Sequence, residues 1–352
     1  MQVDELTSAE RMRHLRKKEP IDRVPVNLSS QLYAAQLTGT SFKDFWNDPE
    51  KGFRAQMLTQ QLHNADEAPS YAYGWSDWII NELGGAIQYS NNPYDLPTVI
   101  KRPIDKLEDI ETLTFPDPRS GPVTKEKWNC ARLNVQRGGK AGVQCGLTRT
   151  VGAIAGNERL MRWYYTEPGA VHALYRKVTD YMLNTLDLYI KEFGAEKCNI
   201  HIAAPMDSQC VISPRTFEKF GYVYYKEVIK KAAAAGVALS EIHLCGNHVQ
   251  TIQLWKEMPI PPRTSISIGA EMDIKKTAEF FGPDYIIAGN VPTQLLHLGT
   301  PEEILTKCQE ILDAVKYNPG GFILRSACGM PANAPPINVH AMMIAARTYG
   351  KY

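Results

Sequence analysis

The chain has 352 residues, 44% of them hydrophobic and 22% charged, and its formal net charge is +1. This composition is typical of a globular protein that buries a large core. A net charge near zero disfavours nucleic acid as the main partner, because binding to phosphates requires a basic face. The sequence has neither a run of about 18 apolar residues nor an N-terminal signal pattern. We therefore expect no association with a membrane.

The cysteine pattern bears on the cellular compartment. The seven cysteines are scattered along the chain, and none forms a CxxC pair. An odd number without paired spacing argues against a disulfide framework, so reduced thiols in a cytoplasmic protein are expected.

The first predicted element is an amphipathic N-terminal helix that carries a dense basic cluster. We expect this cluster, which comprises Arg11, Arg13, Arg16, Lys17 and Lys18, to form the solvated face of the helix. Short apolar runs rich in β-branched residues follow and predict eight strands, at 24–28, 68–73, 142–147, 199–204, 238–245, 265–268, 285–290 and 322–327. Helical patterns separate the later runs, at 170–193, 214–235, 274–281 and 301–315.

This alternation of strands and helices predicts an α/β fold. Strand, helix and strand at such spacing imply right-handed crossovers and a parallel sheet. Eight strands in this order predict a single (β/α)8 TIM barrel over residues 1–352, preceded by an N-terminal helical extension. Residues 75–140 interrupt the alternation of strands and helices after the second strand. Turns at 91–93 and 116–118 indicate an inserted hairpin or cap there.

The candidate site follows from the barrel. In such barrels the functional side chains lie at the C-terminal ends of the strands. The polar residues at or just after the predicted strand ends are Asn27, Ser29, Tyr71, Tyr73, Thr148, Arg149, Asp207, His243, Cys245, Asn247, Glu271, Asn290 and Cys328.

Three of these residues suggest a metal site. His243 and Cys245 form an H-x-C pair on one strand, so both side chains point to the same face. Cys328 ends another strand and would complete an N/S/S set, which suits Zn²⁺ and leaves a fourth position open, as in catalytic zinc sites. The alternative is that all three are ordinary core residues. Their position, where apolar strands break into Gly- and Pro-rich loops, favours metal binding.

Two carboxylates are candidates for catalysis. Asp207 follows a buried strand and could act as an acid or base, orient a ligand, coordinate the metal in the resting state, or serve as a structural carboxylate. Glu241 shares the face of His243 and Cys245, so it could support the metal ligands or simply pack below them.

Further candidates would bind the cofactor and the substrate. We assign Asn247 and Asn290 to cofactor binding, and Tyr73 and Arg149 to substrate binding. The segment around Tyr73 also contains Trp75 and Trp78, and these aromatic rings could floor a pocket for a flat substrate or belong to the core.

The residues resemble those of the uroporphyrinogen decarboxylase superfamily over nearly the whole chain. The matching segments are Ile21–Val26, Glu82–Gly85 with Pro97, Asp207 with Ser213–Phe220, Gly289–Pro292 and Leu298–Glu303. The most specific are His243–Asn247 and Cys328–Pro331 with Asn338, which are similar to the zinc ligands of the corrinoid-dependent methyltransferase branch. The decarboxylase branch carries Arg-Gln-Ala-Gly-Arg after its first strand. Here that stretch is Asn27–Gln31, without arginine, which disfavours porphyrinogen decarboxylation.

The resemblance implies a zinc-dependent methyltransferase that moves a methyl group between a corrinoid (cobalamin) and a small substrate. A thiol held on zinc is a thiolate, which can attack a methyl group on cobalt. In the opposite direction, zinc activates a methyl donor towards Co(I). Transfer from methylcobalamin to a thiol such as coenzyme M is the first expectation. Demethylation of a methoxylated aromatic or a similar donor is the alternative.

Two further hypotheses stay open. A metal-free decarboxylase of an acidic substrate would need arginines at the barrel mouth, and only Arg149 lies near a predicted strand end. An accessory barrel would bind metal or a corrinoid protein without turnover. The chain has no recognisable corrinoid-binding domain, so the expected partners are a separate corrinoid protein and a small thiol or methyl donor. Formation of a homodimer stays open.

Overall fold

The computed structural model describes residues 4–352, which form a sheet of parallel strands surrounded by helices. The strands are β1 (Val26–Asn27), β2 (Ala86–Gln88), β3 (Thr98–Lys101), β4 (Ala141–Cys145), β5 (Cys198–Ala203), β6 (Ala238–Leu244), β7 (Ser265–Ile268), β8 (Ile286–Val291) and β9 (Phe322–Ser326). The helices before β5 are α1 (Ser8–Lys17), α2 (Gln31–Leu37), α3 (Phe42–Asn47), α4 (Pro49–His63), α5 (Ile79–Glu82), α6 (Asp109–Thr112), α7 (Thr124–Gln136), α8 (Leu147–Ala155), α9 (Asn157–Thr166) and α10 (Pro168–Phe193). The later helices are α11 (Pro214–Thr216), α12 (Val223–Ala234), α13 (Ile252–Lys256), α14 (Ile274–Phe281), α15 (Thr293–Leu298), α16 (Pro301–Val315) and α17 (Pro336–Thr348).

Seven of the strands pair in parallel in the order β1-β9-β8-β7-β6-β5-β4. Crossover helices connect them, so the predicted TIM-barrel fold with an N-terminal helix is confirmed. The predicted strand at 68–73 is wrong, because that segment joins no ladder among the described residues. Residues 65–73 take the second strand position between β1 and β4, with a hydrogen bond from Asp66 N to Val26 O (2.9 Å). Pro69 cannot donate to a ladder, and Tyr71 N donates to Asn134 Oδ1 instead (2.8 Å).

The predicted insertion after the second strand position contains a hairpin. Strands β2 and β3 pair antiparallel within it. The buried carboxylate of Glu82 connects this insertion to the start of α7, since it accepts hydrogen bonds from Val123 N (2.7 Å), Thr124 N (3.1 Å) and Thr124 Oγ1 (2.6 Å). A carboxylate at a helix N-terminus satisfies backbone donors that lack partners in the helix and stabilises the positive end of the dipole.

The strands have one face towards the helices and the other towards the barrel interior. Val143, Ile200 and Ile242 belong to the main hydrophobic core on the helical side. The opposite face carries Gln144 and Glu241, which flank β5 in register. Gln144 is exposed although it lies within a parallel sheet, so the interior is polar and reaches solvent on the β4 side.

Helix α1 packs against the end of the barrel opposite to the strand C-termini. Leu15 joins a small core with Ile286, Ala288 and Ile323, which belong to β8 and β9. Arg263, in the loop that leads into β7, donates hydrogen bonds to the carbonyls of Leu15 and Gly320. The N-terminal extension therefore closes the lower end of the barrel.

The basic cluster on α1 is only partly solvated. Arg13, Arg16, Lys17 and Lys18 are exposed, as predicted, but the prediction for Arg11 is wrong because its side chain is 0% exposed. Arg11 is buried because two carboxylates, Asp22 (2.7 Å) and Asp66 (2.5 Å), accept its guanidinium hydrogen bonds. None of the helices within residues 4–352 has both the length and the apolar character required to cross a bilayer.

Candidate metal centre

The structure brings His243, Cys245 and Cys328 together at the C-terminal mouth of the barrel. His243 is the second-last residue of β6, Cys245 follows that strand directly, and Cys328 comes two residues after β9. One donor atom from each residue lies within 4.8 Å of the others, and the two Sγ atoms are 3.5 Å apart. Strands β6 and β9 are separated by β7 and β8 in the sheet, so the curvature of the barrel makes this meeting possible.

The chemistry of this donor set fits zinc. Zn–S bonds of about 2.3 Å in a tetrahedron would place two thiolate sulfurs about 3.8 Å apart, close to the spacing here. His243 is buried, whereas Cys245 and Cys328 are half-buried. Three protein donors that face the mouth leave one position for an exogenous ligand, which is the arrangement of catalytic rather than structural zinc sites.

The two thiols differ in their readiness to ionise. The hydrogen bond from Cys245 and then the neighbouring His243 ring lower the pKa of Cys328, in spite of its burial. The same hydrogen bond raises the pKa of Cys245. Cys328 is therefore the thiol of the pair that loses its proton more readily, and only a thiolate coordinates zinc.

A chain of hydrogen bonds extends from His243 into the barrel interior. His243 Nδ1 lies 2.8 Å from Ser267 Oγ, and Ser267 donates to Glu241 Oε1. Arg325 Nη1 also donates to this oxygen. Burial acts to raise the pKa of Glu241, but the cations around it, led by Arg325, lower it to about 2. Glu241, one of our two catalytic candidates, is therefore a carboxylate below the metal ligands, and its catalytic role stays a prediction.

Sequence reasoning missed Ser267 and Arg325. Ser267 pairs in register with His243 of β6 and so shares its face, but this register is visible only in the structure. For Arg325, the signal was an arginine inside an otherwise apolar strand, since β9 is buried along its whole length. A buried cation requires a partner, and Glu241 supplies it.

Asp207, the other catalytic candidate, lies within a cluster of hydroxyl groups behind the strand ends. It is 1% exposed and accepts hydrogen bonds from Thr148 Oγ1 and Tyr225 OH (3.1 Å). Burial raises the pKa of Asp207 to about 7, although these two hydrogen bonds act in the opposite direction. Its Oδ1 would lie only 2.7 Å from a Cβ at position 221, which explains the glycine there. The predicted catalytic role of Asp207 stays a prediction.

The raised pKa of Asp207 makes the stability of the protein depend on pH. The folded state holds the proton more tightly than the unfolded state, whose Asp pKa is about 3.9. The contribution to stability is therefore complete below about pH 4 and is lost as the pH rises to about 7. We expect the free energy of unfolding by urea to decrease from pH 5 to pH 8 in the parent and to change less in Asp207→Asn. Equal slopes in the two proteins would contradict this assignment.

The two asparagines predicted to bind the cofactor hold loops at the barrel mouth. Asn247 Oδ1 accepts a hydrogen bond from Val249 N (3.0 Å), which forms a local turn. Asn290 Nδ2 donates to the carbonyls of Gly269 (3.1 Å) and Met272 (2.9 Å), in the loop that follows β7. Binding of a cofactor by these side chains stays a prediction.

The two residues predicted to bind substrate lie on the side of the insertion. Arg149, near the start of α8, pairs with Asp77 through Nη2 (3.1 Å) and is half-exposed. Tyr73 is half-buried, and its carbonyl accepts a hydrogen bond from Lys127 Nζ (3.3 Å). Binding of a substrate by Arg149 and Tyr73 stays a prediction.

Comparison with known families agrees with the fold and the sequence motifs. The model of the family described as uroporphyrinogen decarboxylase (URO-D) matches residues 7–349. The chain belongs to this family. The resemblance seen in the sequence motifs is thereby confirmed.

The relatives of the chain include methyltransferases and decarboxylases. The methylcobamide:CoM methyltransferase MtbA of Methanosarcina mazei is 24% identical over 357 residues, covering 99% of each chain. The uroporphyrinogen decarboxylase of Protochlamydia amoebophila is 28% identical over 312 residues, covering 85% of this chain and 79% of that protein. A solved structure of a methyltransferase from Methanosarcina mazei superposes with a TM-score of 0.77 at 21% identity, covering 97% of this chain and 99% of the other. This likeness establishes the fold.

Proposed function

We propose that this chain, working as a single barrel domain over residues 1–352, is a zinc-dependent methyltransferase. It moves a methyl group from a corrinoid carried by a separate protein to a small thiol of the coenzyme M type. The observation that carries the proposal is the N/S/S set of His243, Cys245 and Cys328, whose donor atoms lie within 4.8 Å of one another at the barrel mouth. The full-length similarity to a methylcobamide:CoM methyltransferase supports the same activity.

The residues around the metal position suit activation of a thiol. Zinc bound there would act as a Lewis acid that keeps a substrate thiol ionised at neutral pH. Cys245 and Cys328 contribute two negative charges as thiolates, which balance the charge of a divalent cation. With zinc held by His243, Cys245 and Cys328, a substrate thiolate would keep an excess of negative charge on its sulfur and so stay nucleophilic towards a methyl group. Below the set, Glu241 and Arg325 neutralise each other and add no net charge.

The proposal predicts methyl transfer from free methylcobalamin to a thiol. The zinc-loaded protein should transfer the methyl group of methylcobalamin to coenzyme M or to another small thiol from a panel. The loss of the methyl-cobalt absorption band measures this reaction. His243→Ala should be slower by roughly 100-fold or more, because Lewis-acid activation contributes several kcal/mol. His14→Ala, a histidine on α1 at the opposite end of the barrel, is the matched control and should retain full activity.

Other outcomes of this assay identify the alternatives. Formation of methyl-cobalt from Co(I) cobalamin and a methoxylated aromatic, with no reaction of thiols, would show the demethylation direction. In that case the half-buried rings of Trp75 and Trp78 become candidates for the aromatic pocket. Inactivity with all thiols and all methyl donors would contradict the methyltransferase proposal and favour an accessory barrel.

A further inference from the structure

The hydrogen-bond chain below His243 assigns a role to Ser267, which no sequence motif indicates, and a definite contact to Glu241, for which the sequence left support of the metal ligands open. We infer that these two are positioning residues that keep the proton of His243 on Nδ1, so that Nε2 presents its lone pair to the metal. The inference rests on the proposed metal site, since it concerns how one ligand of that site is prepared. It concerns the affinity for metal rather than the methyl-transfer step itself.

Within residues 4–352, Ser267 is the side chain that links the Glu241 carboxylate to the His243 ring. Glu241 Oε1 is 3.9 Å from His243 Nδ1, which is too far for a hydrogen bond. Ser267 Oγ lies 2.8 Å from Nδ1 and contacts Glu241 Oε1 on its other side. Ser267 is in register with His243 on the adjacent strand and is 1% exposed, so the parallel ladder fixes the contact and water does not compete for it.

The direction of the hydrogen bonds follows from counting protons. A carboxylate accepts hydrogen bonds and cannot donate them, whereas a serine hydroxyl has one proton to give. Glu241 is held as a carboxylate because Arg325, itself 5% exposed, donates to the same oxygen. The proton of Ser267 therefore points to Glu241, and its oxygen has to accept from Nδ1–H. A neutral imidazole with its proton on Nδ1 has its lone pair on Nε2.

This arrangement resembles the carboxylate–histidine–metal chains of many metal sites, with a serine inserted between the two side chains. Partners of this kind fix the ring orientation and tautomer, and losing them typically lowers metal affinity by about 10–100-fold. The buried hydroxyl offers a further advantage, because strands β6 and β7 hold it in place through backbone hydrogen bonds. We therefore expect Ser267 to affect zinc affinity although it is not itself a ligand.

The strand provides a matched control. Ser265 lies two residues earlier on the same face of β7 and is also buried, but its hydroxyl has no hydrogen-bond partner among the described residues. The test compares Ser267→Ala and Ser265→Ala with the parent. Zinc affinity is measured by competition with a chromogenic chelator. The tautomer of His243 is measured in the metal-free proteins from the ¹⁵N chemical shifts of the ring, with His243→Ala used for assignment.

We expect Ser267→Ala to bind zinc about 10–100-fold more weakly and to lose the pure Nδ1–H signature, while Ser265→Ala matches the parent. Glu241→Gln tests the direction of these hydrogen bonds, because it keeps the size of the side chain but replaces an acceptor oxygen with a donor. A glutamine amide can donate to Ser267, which lets the hydroxyl donate to Nδ1 and permits the proton on Nε2. We therefore expect a mixed tautomer in Glu241→Gln as well.

The inference fails if Ser267→Ala keeps both the zinc affinity and the Nδ1–H tautomer of the parent, even though the metal site itself would then stand. Absence of zinc binding by the parent would instead contradict the proposed function. The tautomer measurement would still decide the inference in that case, because it uses the metal-free protein.

Discussion

Replacing either Cys245 or Cys328 with alanine is expected to remove the zinc that the parent protein retains at about one ion per chain. Each substitution leaves a two-ligand site. Apparent zinc-binding energies of about 10–16 kcal/mol are shared among four ligands in structural sites, so the loss of one protein ligand should weaken binding by roughly 100-fold or more. Methyl transfer should fall in parallel, because catalytic zinc is held by three protein ligands with the fourth position for the substrate.

The measurement is metal analysis of each protein after dialysis against a weak chelator, combined with the methylcobalamin assay. Cys210→Ala is the matched control, because Cys210 is an exposed free cysteine outside the ligand group. This control should bind zinc and turn over like the parent. Full retention of zinc in both Cys245→Ala and Cys328→Ala would show that the donor set is not the metal site.

The second large effect is expected in the buried charge network at the lower end of the barrel. Asp66 accepts hydrogen bonds from Arg11 Nη1 (2.5 Å), Arg23 Nη1 (2.7 Å) and Val26 N (2.8 Å). These donors come from α1, from the loop that leads into β1, and from β1 itself, so one carboxylate joins three parts of the chain. Asp66→Asn keeps the shape but removes the negative charge between two buried guanidinium groups. We expect a loss of about 3–5 kcal/mol in the free energy of unfolding, as for other broken buried ion pairs.

Urea denaturation followed by circular dichroism measures this loss. Asp44→Asn is the matched control, because Asp44 pairs with Lys51 (3.1 Å) at the surface, where both side chains are about half exposed. Removing an exposed pair should change stability by less than about 1 kcal/mol. Similar losses for the two variants would show that the buried network contributes no more than a surface ion pair.

Much of the fold follows from the sequence. Apolar, β-branched runs bounded by Gly and Pro identified the strands that pair, because the face of each strand that packs against the helices is buried. The segment at 68–73 has the right position but contains a proline and polar residues, so its backbone bonds go to Asn134 and other side chains instead of a ladder. Local composition predicts that this segment belongs to the barrel, but it does not predict which groups accept and donate its backbone hydrogen bonds.

The sequence by itself determined which chemistry-bearing residues face the barrel mouth. The two-residue period of a strand places His243 and Cys245 on one face, and the topology of a parallel barrel brings the end of β9, with Cys328, to the same mouth. Only the tertiary structure decided what each polar side chain contacts. Arg325 and Glu241 are 84 residues apart, and Arg11 and Asp66 are 55 apart. Such partners are set by strand register and by the curvature that brings distant strands together, and neither is encoded in a local pattern. For that reason the sequence did not predict that Arg11 is buried. Ser267 was likewise identified only from its contacts with His243 and Glu241 in the structure.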